Sequence, residues 1–362
     1  MAINVNRRSF VAIVGGAVCS TILTGCGGSQ TSSSAVSSNS SVSSATQGDA
    51  DYKILVNNQH EIPTNWEDTI ELVEYKNSED WGGKVESKAY DAYLALKDDL
   101  ANENVFIDLD SAYRSVEAQQ KVWDEFLQKY GEAYTRTHVA KPHHSEHHTG
   151  LALDVFLIID NKGVYENEDM LKHPDIWKKI HAKLADHGFI LRYLPGKKYI
   201  TGYSYEPWHI RYLDDSSTAH EIMDKGLTYE EYLNDVDPLV KDCTVDYGTS
   251  ETFIEKDMDY ALDAILTEFA TWKGCTLKRI AYAGDKASAD DLIYVNDLRK
   301  DKLPEHPEFD QSIVFVTDFH SPSAENAEGT AWEPDKDYND YTWHLGRTGE
   351  DGTWELMSWG YA

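Results

Sequence analysis

Apolar residues recur at helical spacing along the first half of the chain. Ala89, Tyr93, Leu96 and Leu100 are separated by 4, 3 and 4 positions, so one face of a single helix carries all four. Two further helices are predicted by the same periodicity. Their apolar faces are Val122, Trp123, Phe126, Leu127 and Tyr130 in one, and Ile176, Trp177, Ile180 and Leu184 in the other.

Residues at the ends of these two helices indicate where each begins and stops. Ser115 is placed as an N-cap for the first, because its hydroxyl can accept from a free amide of the first turn, and Gly131 ends it. Pro174 suits the first turn of the second, and Gly188 suits its end.

Short apolar and β-branched runs between the helices predict strands. They are residues 105–109, 151–159, 189–193 and 208–212. Helices and strands follow one another without a regular β–α–β alternation. The pattern therefore favours an α+β domain over residues 52–235 rather than a doubly wound parallel sheet.

The last third of the chain, residues 245–362, predicts a second and smaller α+β domain. Met258, Leu262, Ile265, Phe269 and Trp272 form one amphipathic helical face that ends at Gly274. Four strand-like runs follow, at 277–282, 312–319, 341–345 and 353–359. A turn signal at 349–352 joins the last two as a hairpin. We expect one helix on a curved antiparallel sheet, in the manner of cystatin-like or NTF2-like folds.

The N-terminal residues have the layout of an export signal. Arg7 and Arg8 precede an apolar stretch, residues 10–23, that glycine and polar residues interrupt. The stretch ends Leu-Thr-Gly-Cys, which resembles a bacterial lipobox, with cleavage before Cys26 and lipid on its thiol. Residues 6–11 resemble a twin-arginine signal, so twin-arginine and Sec export both stay open. We expect a signal peptide over residues 1–25.

Residues 26–51 are rich in serine and poor in apolar side chains, so they predict a flexible tether. A lipidated Cys26 followed by a tether places the folded domains outside the cytoplasm, anchored to the bacterial cell membrane. After residue 30, no run approaches the ~18 apolar residues that a membrane span needs.

Charge and cysteine content narrow the possible partners. Lys plus Arg is 33 and Asp plus Glu is 63, a formal charge of −30, which argues against a nucleic-acid ligand. Of the four cysteines, only Cys243 and Cys275 lie in the predicted domains. Outside the cell the two thiols could form a disulfide or stay unpaired, and sequence alone gives no distance between them.

Two short stretches, residues 143–154 and 205–209, carry metal-binding side chains. His147, Asp154 and His209 can supply the three protein ligands of a zinc ion that keeps a fourth position for water. Glu206 can then take a proton from that water. By residue type, other histidines are equally good ligands, and a polar loop without a tight metal site is the alternative interpretation. Those histidines are His138, His143, His144 and His148.

The order of the motifs resembles the VanY-type zinc D-alanyl-D-alanine carboxypeptidase family, in a bacterial lipoprotein form. The matching patterns are Ser-x-Tyr-Arg-Ser at 111–115, Ser-x-His-x-x-Gly-x-Ala-x-Asp at 145–154 and Glu-Pro-Trp-His at 206–209. Segments 55–63, 188–193, 200–203 and 226–233 extend the resemblance over residues 52–235. It implies a Hedgehog/DD-peptidase-like zinc peptidase domain with one Zn²⁺ per chain.

The resemblance also implies roles for single residues. It assigns the zinc to His147, Asp154 and His209. Glu206 is the general base and then the proton donor, and Arg114 stabilises the oxyanion with its fixed fork of donors. Ser145 and Gln119 match positions that contact the C-terminal end of the peptide. Three residues near the motifs are predicted to have structural rather than catalytic roles. Trp208 packs in the wall of the site, and Arg192 and Arg211 are ion-pair partners.

Two hypotheses follow from these observations. In the first, the chain removes a terminal D-alanine from peptidoglycan stem peptides, and D,D- and L,D-carboxypeptidase activities both stay open. In the second, it is a catalytically silent, peptidoglycan-binding surface lipoprotein. The complete set of ligands and base favours the first, because a silent relative has little reason to keep them all.

Overall fold

The computed structural model describes residues 50–131, 135, 139–327, 332–349 and 352–361. The predicted signal, Cys26 and nearly all of the tether lie outside the described residues, as does His138. Among the described residues, no helix combines the length and apolar character that crossing a bilayer requires.

The N-terminal unit is a mixture of helices and antiparallel strands. Its helices are α1 (Ser87–Asn102), α2 (Val116–Tyr130), α3 (Asn167–Met170), α4 (Pro174–Leu184), α5 (Lys198–Thr201), α6 (Ser216–Lys225) and α7 (Tyr229–Leu233). Its strands are β1 (Leu72–Lys76), β2 (Gly82–Glu86), β3 (Ile107–Ser111), β4 (Ala152–Ile159), β5 (Lys162–Val164), β6 (Phe189–Leu191) and β7 (His209–Tyr212). This arrangement agrees with the α+β prediction.

One antiparallel sheet organises the N-terminal unit. Its strands lie in the order β3-β4-β7-β6, with β5 paired to β4, while β1 and β2 form a separate hairpin. The inner faces of α1 and α4 pack into the same apolar core as the sheet, through Tyr93, Leu96, Trp177 and Ile180. The strands that carry the predicted metal ligands, β4 and β7, are therefore central and buried.

Local signals set the ends of the predicted helices. The Ser115 hydroxyl accepts from Ala118 N at 3.2 Å at the start of α2, and Gly131 ends that helix at φ +84°. The apolar face of α2 is only partly used, because Val122 is buried while Leu127 is 40 % exposed. Pro174 occupies the first turn of α4, and Gly188 follows its last turn in the left-handed region.

The C-terminal unit is a five-stranded sheet with a helix on each face. Its helices are α8 (Glu255–Phe269) and α9 (Asp285–Lys302), and its strands are β8 (Thr244–Asp246), β9 (Thr276–Tyr282), β10 (Gln311–His320), β11 (Asp337–Arg347) and β12 (Glu355–Gly360). The strand order is β12-β11-β10-β9-β8, antiparallel except where β8 runs parallel to β9. Ile313 and Phe315 share a core with α8, whereas the alternate Ser312 contacts Ser288 of α9.

Helix α9 corrects the expectation of a single helix on this sheet. Its buried positions are Ser288, Val295, Asn296 and Arg299, of which only Val295 is apolar. Asn296 instead exchanges hydrogen bonds with the backbone of Phe309, and the Arg299 guanidinium lies 3.8 Å from the Phe309 ring centroid. Because polar contacts anchor the helix, its apolar periodicity is too weak to predict it. The cystatin-like or NTF2-like identity stays a prediction.

The two described cysteines are free, buried thiols. Burial raises the pKa of Cys243 to about 12 and that of Cys275 to about 11. Both thiols are therefore protonated at neutral pH, and the structure has no disulfide at this pair.

Candidate metal centre

Sheet register brings two of the predicted ligands together. Asp154 of β4 and His209 of β7 are direct cross-strand partners, and Ser111 of β3 lies across Asp154 on its other side. His147 lies in the 3₁₀ turn Glu146–Thr149, which leads into β4. One ligand atom from each of His147, Asp154 and His209 lies within 4.8 Å of the other two.

Nitrogen and oxygen atoms of this cluster point at one another. Nε2 of His147 lies 3.3 Å from Oδ2 of Asp154, and Nδ1 of His209 lies 3.1 Å from Oδ1 of the same carboxylate. All three side chains are buried. Two imidazole nitrogens and one carboxylate form the donor set that a catalytic zinc takes from a protein, so the residues fit that ion.

Hydrogen bonds behind the cluster orient each ligand. Nδ1 of His147 lies 2.7 Å from the carbonyl of Ala112, and the Ser111 hydroxyl donates to Oδ2 of Asp154 at 3.0 Å. Nε2 of His209 lies 3.0 Å from Oε2 of Glu146. With a metal bound, such partners would take the proton on the far side of each imidazole, which would leave the lone pairs of Nε2 of His147 and Nδ1 of His209 for the ion.

Glu146 is the functional residue that the sequence patterns missed. Its Oε1 accepts from Nε of Arg192 at 2.8 Å and from Nη1 of Arg211 at 2.9 Å, and its Oε2 faces His209. Arg192 makes a second, bidentate pair with Glu230 at 2.9 and 2.6 Å. Both arginines are fully buried, which confirms that they are ion-pair partners. The sequence predicted Arg192 and Arg211 as ion-pair partners, so each required a nearby carboxylate, and that requirement was the signal that could have identified Glu146.

Burial and neighbouring charges shift the pKa values in opposite directions. Burial alone raises the pKa of Glu146, but the charges of Arg192 and Arg211 and the His209 contact outweigh it, so the net pKa is well below the usual range. Burial lowers the pKa of His209, yet Asp154 and Glu146 raise it overall to about 9. Desolvation lowers the pKa of His147, and the nearby charge of Arg114 adds to that effect.

Glu206 lies at the edge of the cluster. Its Oε2 is 3.7 Å from Nδ1 of His209, and its side chain remains 30 % exposed while the ligands are buried. The backbone of Glu206 donates to the carbonyl of Tyr193 at 3.3 Å and accepts from the amide of His209 at 3.2 Å. A carboxylate in this position can reach both solvent and the ligand cluster.

Arg114 and Gln119 lie together. Nη1 of Arg114 donates to Oε1 of Gln119 at 3.0 Å, and Nε2 of Gln119 donates to the carbonyl of Ala140 at 2.7 Å. The backbone amide of Arg114 donates to the carbonyl of His147 at 3.0 Å. Gln119 therefore orients the guanidinium from a buried position. Ser145 is also buried and precedes the turn that carries His147.

The candidate histidines His144 and His148 have other partners. Nδ1 of His144 lies 2.8 Å from the carbonyl of Asn57. The His148 ring lies between the carbonyl of Arg114 at 2.6 Å and the amide of His143 at 3.2 Å. Trp208 is buried in the apolar core, as predicted. Of the histidines that residue type left equivalent, the described part of the chain brings only His147 and His209 to Asp154.

Comparison with known proteins gives a consistent family. The VanY family model, described as D-alanyl-D-alanine carboxypeptidase, matches residues 82–215. The protein YodJ of Bacillus subtilis (strain 168), whose name describes it as a carboxypeptidase, is 34% identical over 186 residues, which are 50% of this chain and 67% of YodJ. A D-alanyl-D-alanine carboxypeptidase of Enterococcus faecalis (strain ATCC 700802 / V583) is 34% identical over 190 residues, 50% of this chain and 65% of that protein.

Solved structures give similar sequence identities. A mutant of the D,D-pentapeptidase VanY from the VanB-type vancomycin resistance cassette, in complex with Zn(II), is 33% identical with a TM-score of 0.42, and the match covers 51% of this chain and 99% of that one. The LD-carboxypeptidase LdcB is 31% identical with a TM-score of 0.42, and the match covers 51% and 86%. The family model ends at residue 215, so the C-terminal unit falls outside it.

Proposed function

Since this chain belongs to the VanY family of D-alanyl-D-alanine carboxypeptidases, we propose that it is a zinc-dependent carboxypeptidase that removes the terminal D-alanine from peptidoglycan stem peptides. One observation carries the proposal: His147, Asp154 and His209 converge within 4.8 Å, with the Glu206 carboxylate 3.7 Å from the inward nitrogen of His209. Binding alone would need neither the ligands nor an adjacent base.

The residues divide the chemistry between them. Zinc, when bound by His147, Asp154 and His209, supplies a water of lowered pKa and polarises the scissile carbonyl. Glu206 takes the proton of the attacking water and returns it to the leaving amine of D-alanine. Arg114, oriented by Gln119, stabilises the negative charge that develops on the carbonyl oxygen. Ser145 and Gln119 border the position of the C-terminal end of the peptide.

The choice between the two possible bonds is part of the proposal. An Enterococcus gallinarum relative, 41% identical over 131 residues, is named as a bifunctional D-Ala-D-Ala dipeptidase and carboxypeptidase, and LdcB is named as an LD-carboxypeptidase. Both the D-Ala-D-Ala end of a pentapeptide and the terminal bond of a tetrapeptide are therefore substrates to test.

The deciding experiment digests defined muropeptides with the full chain and one equivalent of zinc. We expect mass spectrometry to show the loss of one alanine from the pentapeptide, the tetrapeptide or both. If neither loses alanine, or if the purified chain retains far less than one zinc, the chain is instead a silent wall-binding lipoprotein.

Glu206→Gln separates catalysis from metal binding. We expect zinc content to stay at the wild-type level while kcat falls about 100-fold or more, because a general base of this kind contributes that much. Glu221→Gln is a matched control, since Glu221 is an exposed carboxylate paired with Lys225 on α6. Turnover by Glu206→Gln equal to that of the control would exclude Glu206 as the base.

The N-terminal motif also supports a proposal for the location of the protein. We propose that lipid on Cys26 anchors the chain to the outer face of the cytoplasmic membrane, where stem peptides are present, after export by a twin-arginine or Sec signal. Cys26→Ser should move the protein from the membrane fraction to the soluble fraction without changing its turnover. Retention of this variant in the membrane fraction would contradict the anchor.

A further inference from the structure

The segment that leads to Glu206 touches both units of the protein. Residues 195–205 connect β6 to the Glu206–His209 motif and include the short helix α5. On one side this segment contacts α8 of the C-terminal unit, and on the other Tyr203 contacts Tyr193, which packs against the metal ligand His209.

Lys198 is the main contact with α8. Its Nζ lies 2.7 Å from Oδ2 of Asp263 and 4.4 Å from the centroid of the Tyr260 ring, and the residue is only 4 % exposed. An ammonium buried to this extent needs its counter-charge, so the pair restricts where α5 can lie. The neighbouring Tyr199 packs against the C-terminal core, and the Gly196 amide donates to the Glu255 carboxylate.

A second contact lies two residues before Glu206. Ser204 lies beside Asp259 of α8, and its hydroxyl opposes the rise in pKa that burial causes at that carboxylate. Asp259 is fully buried and also accepts from the Tyr247 hydroxyl at 2.5 Å. Lys198 and Ser204 thus place both ends of the same short segment beside one face of α8, since Asp259 and Asp263 are one helical turn apart.

The opposite side of the segment reaches a metal ligand through aromatic rings. Tyr203 stacks on Tyr193 with centroids 4.6 Å apart, and Tyr193 lies 4.7 Å from the ring of His209. The carbonyl of Tyr193 accepts from the amide of Glu206 at 3.3 Å. A displacement of residues 198–204 would therefore move Glu206 relative to His209.

We propose that helix α8 of the C-terminal unit positions the catalytic base Glu206, by holding the segment before it through the Lys198–Asp263 pair, the Gly196–Glu255 hydrogen bond and the packing of Tyr199. This inference rests on the proposed function, in which Glu206 is the base. Lys198, Asp259 and Asp263 are positioning residues, because they act through the loop. The C-terminal unit is then part of the enzyme rather than a spacer.

Two substitutions on α8 test the proposal in the full chain. In Asp263→Asn and in Asp259→Asn, we expect kcat to fall about 10-fold or more with KM nearly unchanged, because small misplacements of a catalytic group cost rate. Zinc content stays at the wild-type level, since the metal ligands lie on β4, β7 and their preceding turn. Asp318→Asn is the matched control: it breaks an ion pair with Arg279 elsewhere in the same unit.

A conservative series checks the pair from its other partner. Lys198→Arg keeps the charge and should retain most of the wild-type kcat, whereas Lys198→Met should lose it as Asp263→Asn does. Equal kcat in Lys198→Met, Lys198→Arg and the wild type would overturn the proposal, as would unchanged kcat in both α8 variants.

Hydrogen exchange gives a readout that needs no activity. We expect amides of residues 203–209 to exchange faster in Asp259→Asn and Asp263→Asn than in the wild type and in Asp318→Asn. Identical exchange in all four proteins overturns the positioning role. A third outcome separates the two proposals. If the two α8 variants exchange faster than the wild type but the wild type releases no alanine from either muropeptide, the proposed function is rejected while the mechanical coupling stands.

Discussion

Replacing Glu146 with glutamine tests whether a buried carboxylate keeps His209 in its metal-binding tautomer. In the wild type, Oε1 of Glu146 accepts from Arg192 and Arg211 while Oε2 faces Nε2 of His209 at 3.0 Å. A glutamine has one oxygen and one amide nitrogen. The two guanidinium groups take the oxygen, so the amide N–H group is left facing His209. Nε2 must then accept, and the imidazole proton moves to Nδ1, which is the metal-facing atom.

The magnitude follows from what each group retains. Arg192 keeps its bidentate pair with Glu230, and Arg211 keeps bonds to the carbonyls of Tyr52, Ile54 and Tyr212. We therefore expect the free energy of unfolding to fall by about 3 kcal/mol, the lower end of the range for breaking a buried ion pair. Zinc affinity should fall by about 10- to 100-fold, as for the loss of other partners behind a ligating histidine.

Glu230→Gln is the control that separates the two effects. It removes a carboxylate from the same network, on the side of Arg192 away from His209. Denaturant unfolding of the metal-free proteins measures the stability loss, and chelator competition measures zinc affinity. We expect comparable stability losses but near wild-type zinc affinity for Glu230→Gln. Equal losses of zinc affinity in the two variants would refute the tautomer argument and leave only a general packing effect.

Three further predictions concern a histidine, a glycine and two cysteines. His148 donates from Nδ1 to Arg114 and accepts at Nε2 from His143, and burial lowers its pKa from 6.5 to about 4. As pH falls, His148 is therefore protonated in the unfolded chain before it is protonated in the folded one. The free energy of unfolding of the wild type should fall by about 2 kcal/mol between neutral pH and pH 5 through this group, and His148→Gln should not show that loss. Parallel pH–stability curves for the two proteins would contradict this. Gly202 has φ +80°, and an added Cβ would lie 2.4 Å from Nδ2 of Asn58. Gly226 has φ +62° but open space around the position of an added Cβ. Gly202→Ala should therefore lower the free energy of unfolding by at least about 1 kcal/mol more than Gly226→Ala does. Equal losses in denaturant unfolding would show that Asn58 moves freely. Cys243 and Cys275 should resist alkylation in the native protein and react after unfolding; an intact mass that rises by two hydrogens on reduction would instead reveal a disulfide.

Sequence periodicity predicted the elements whose stability depends on one apolar face. The four spaced residues of α1 are all fully buried, and α4 buries Trp177, Ile180 and Leu184. These faces contact the core directly, so side-chain spacing and burial report the same physical fact. Helix α9 was not predicted, because its buried Asn296 and Arg299 make specific polar contacts that apolar periodicity does not reveal.

The spacing of residues along the sequence was not sufficient to identify the three metal ligands. Asp154 and His209 are far apart in sequence, and they become neighbours only because β4 and β7 pair in that register. Equally, His144 and His148 face backbone carbonyls on account of the turn geometry, which residue type does not reveal. The family resemblance selected the same three ligands, and their binding of zinc stays a prediction.

Two different supports hold the metal ligands and the base. The ligands lie on paired strands and on a turn joined to them, and a buried charge network orients His209 from behind. Glu206 precedes β7 on a segment whose outer contacts belong to α8. Substitutions in the Glu146 network should therefore reduce zinc affinity first, whereas substitutions on α8 should reduce kcat at full zinc occupancy. If an α8 variant instead lost zinc affinity while kcat at full zinc occupancy was unchanged, the two supports would not be separate. The coupling would then run through the sheet rather than through the loop.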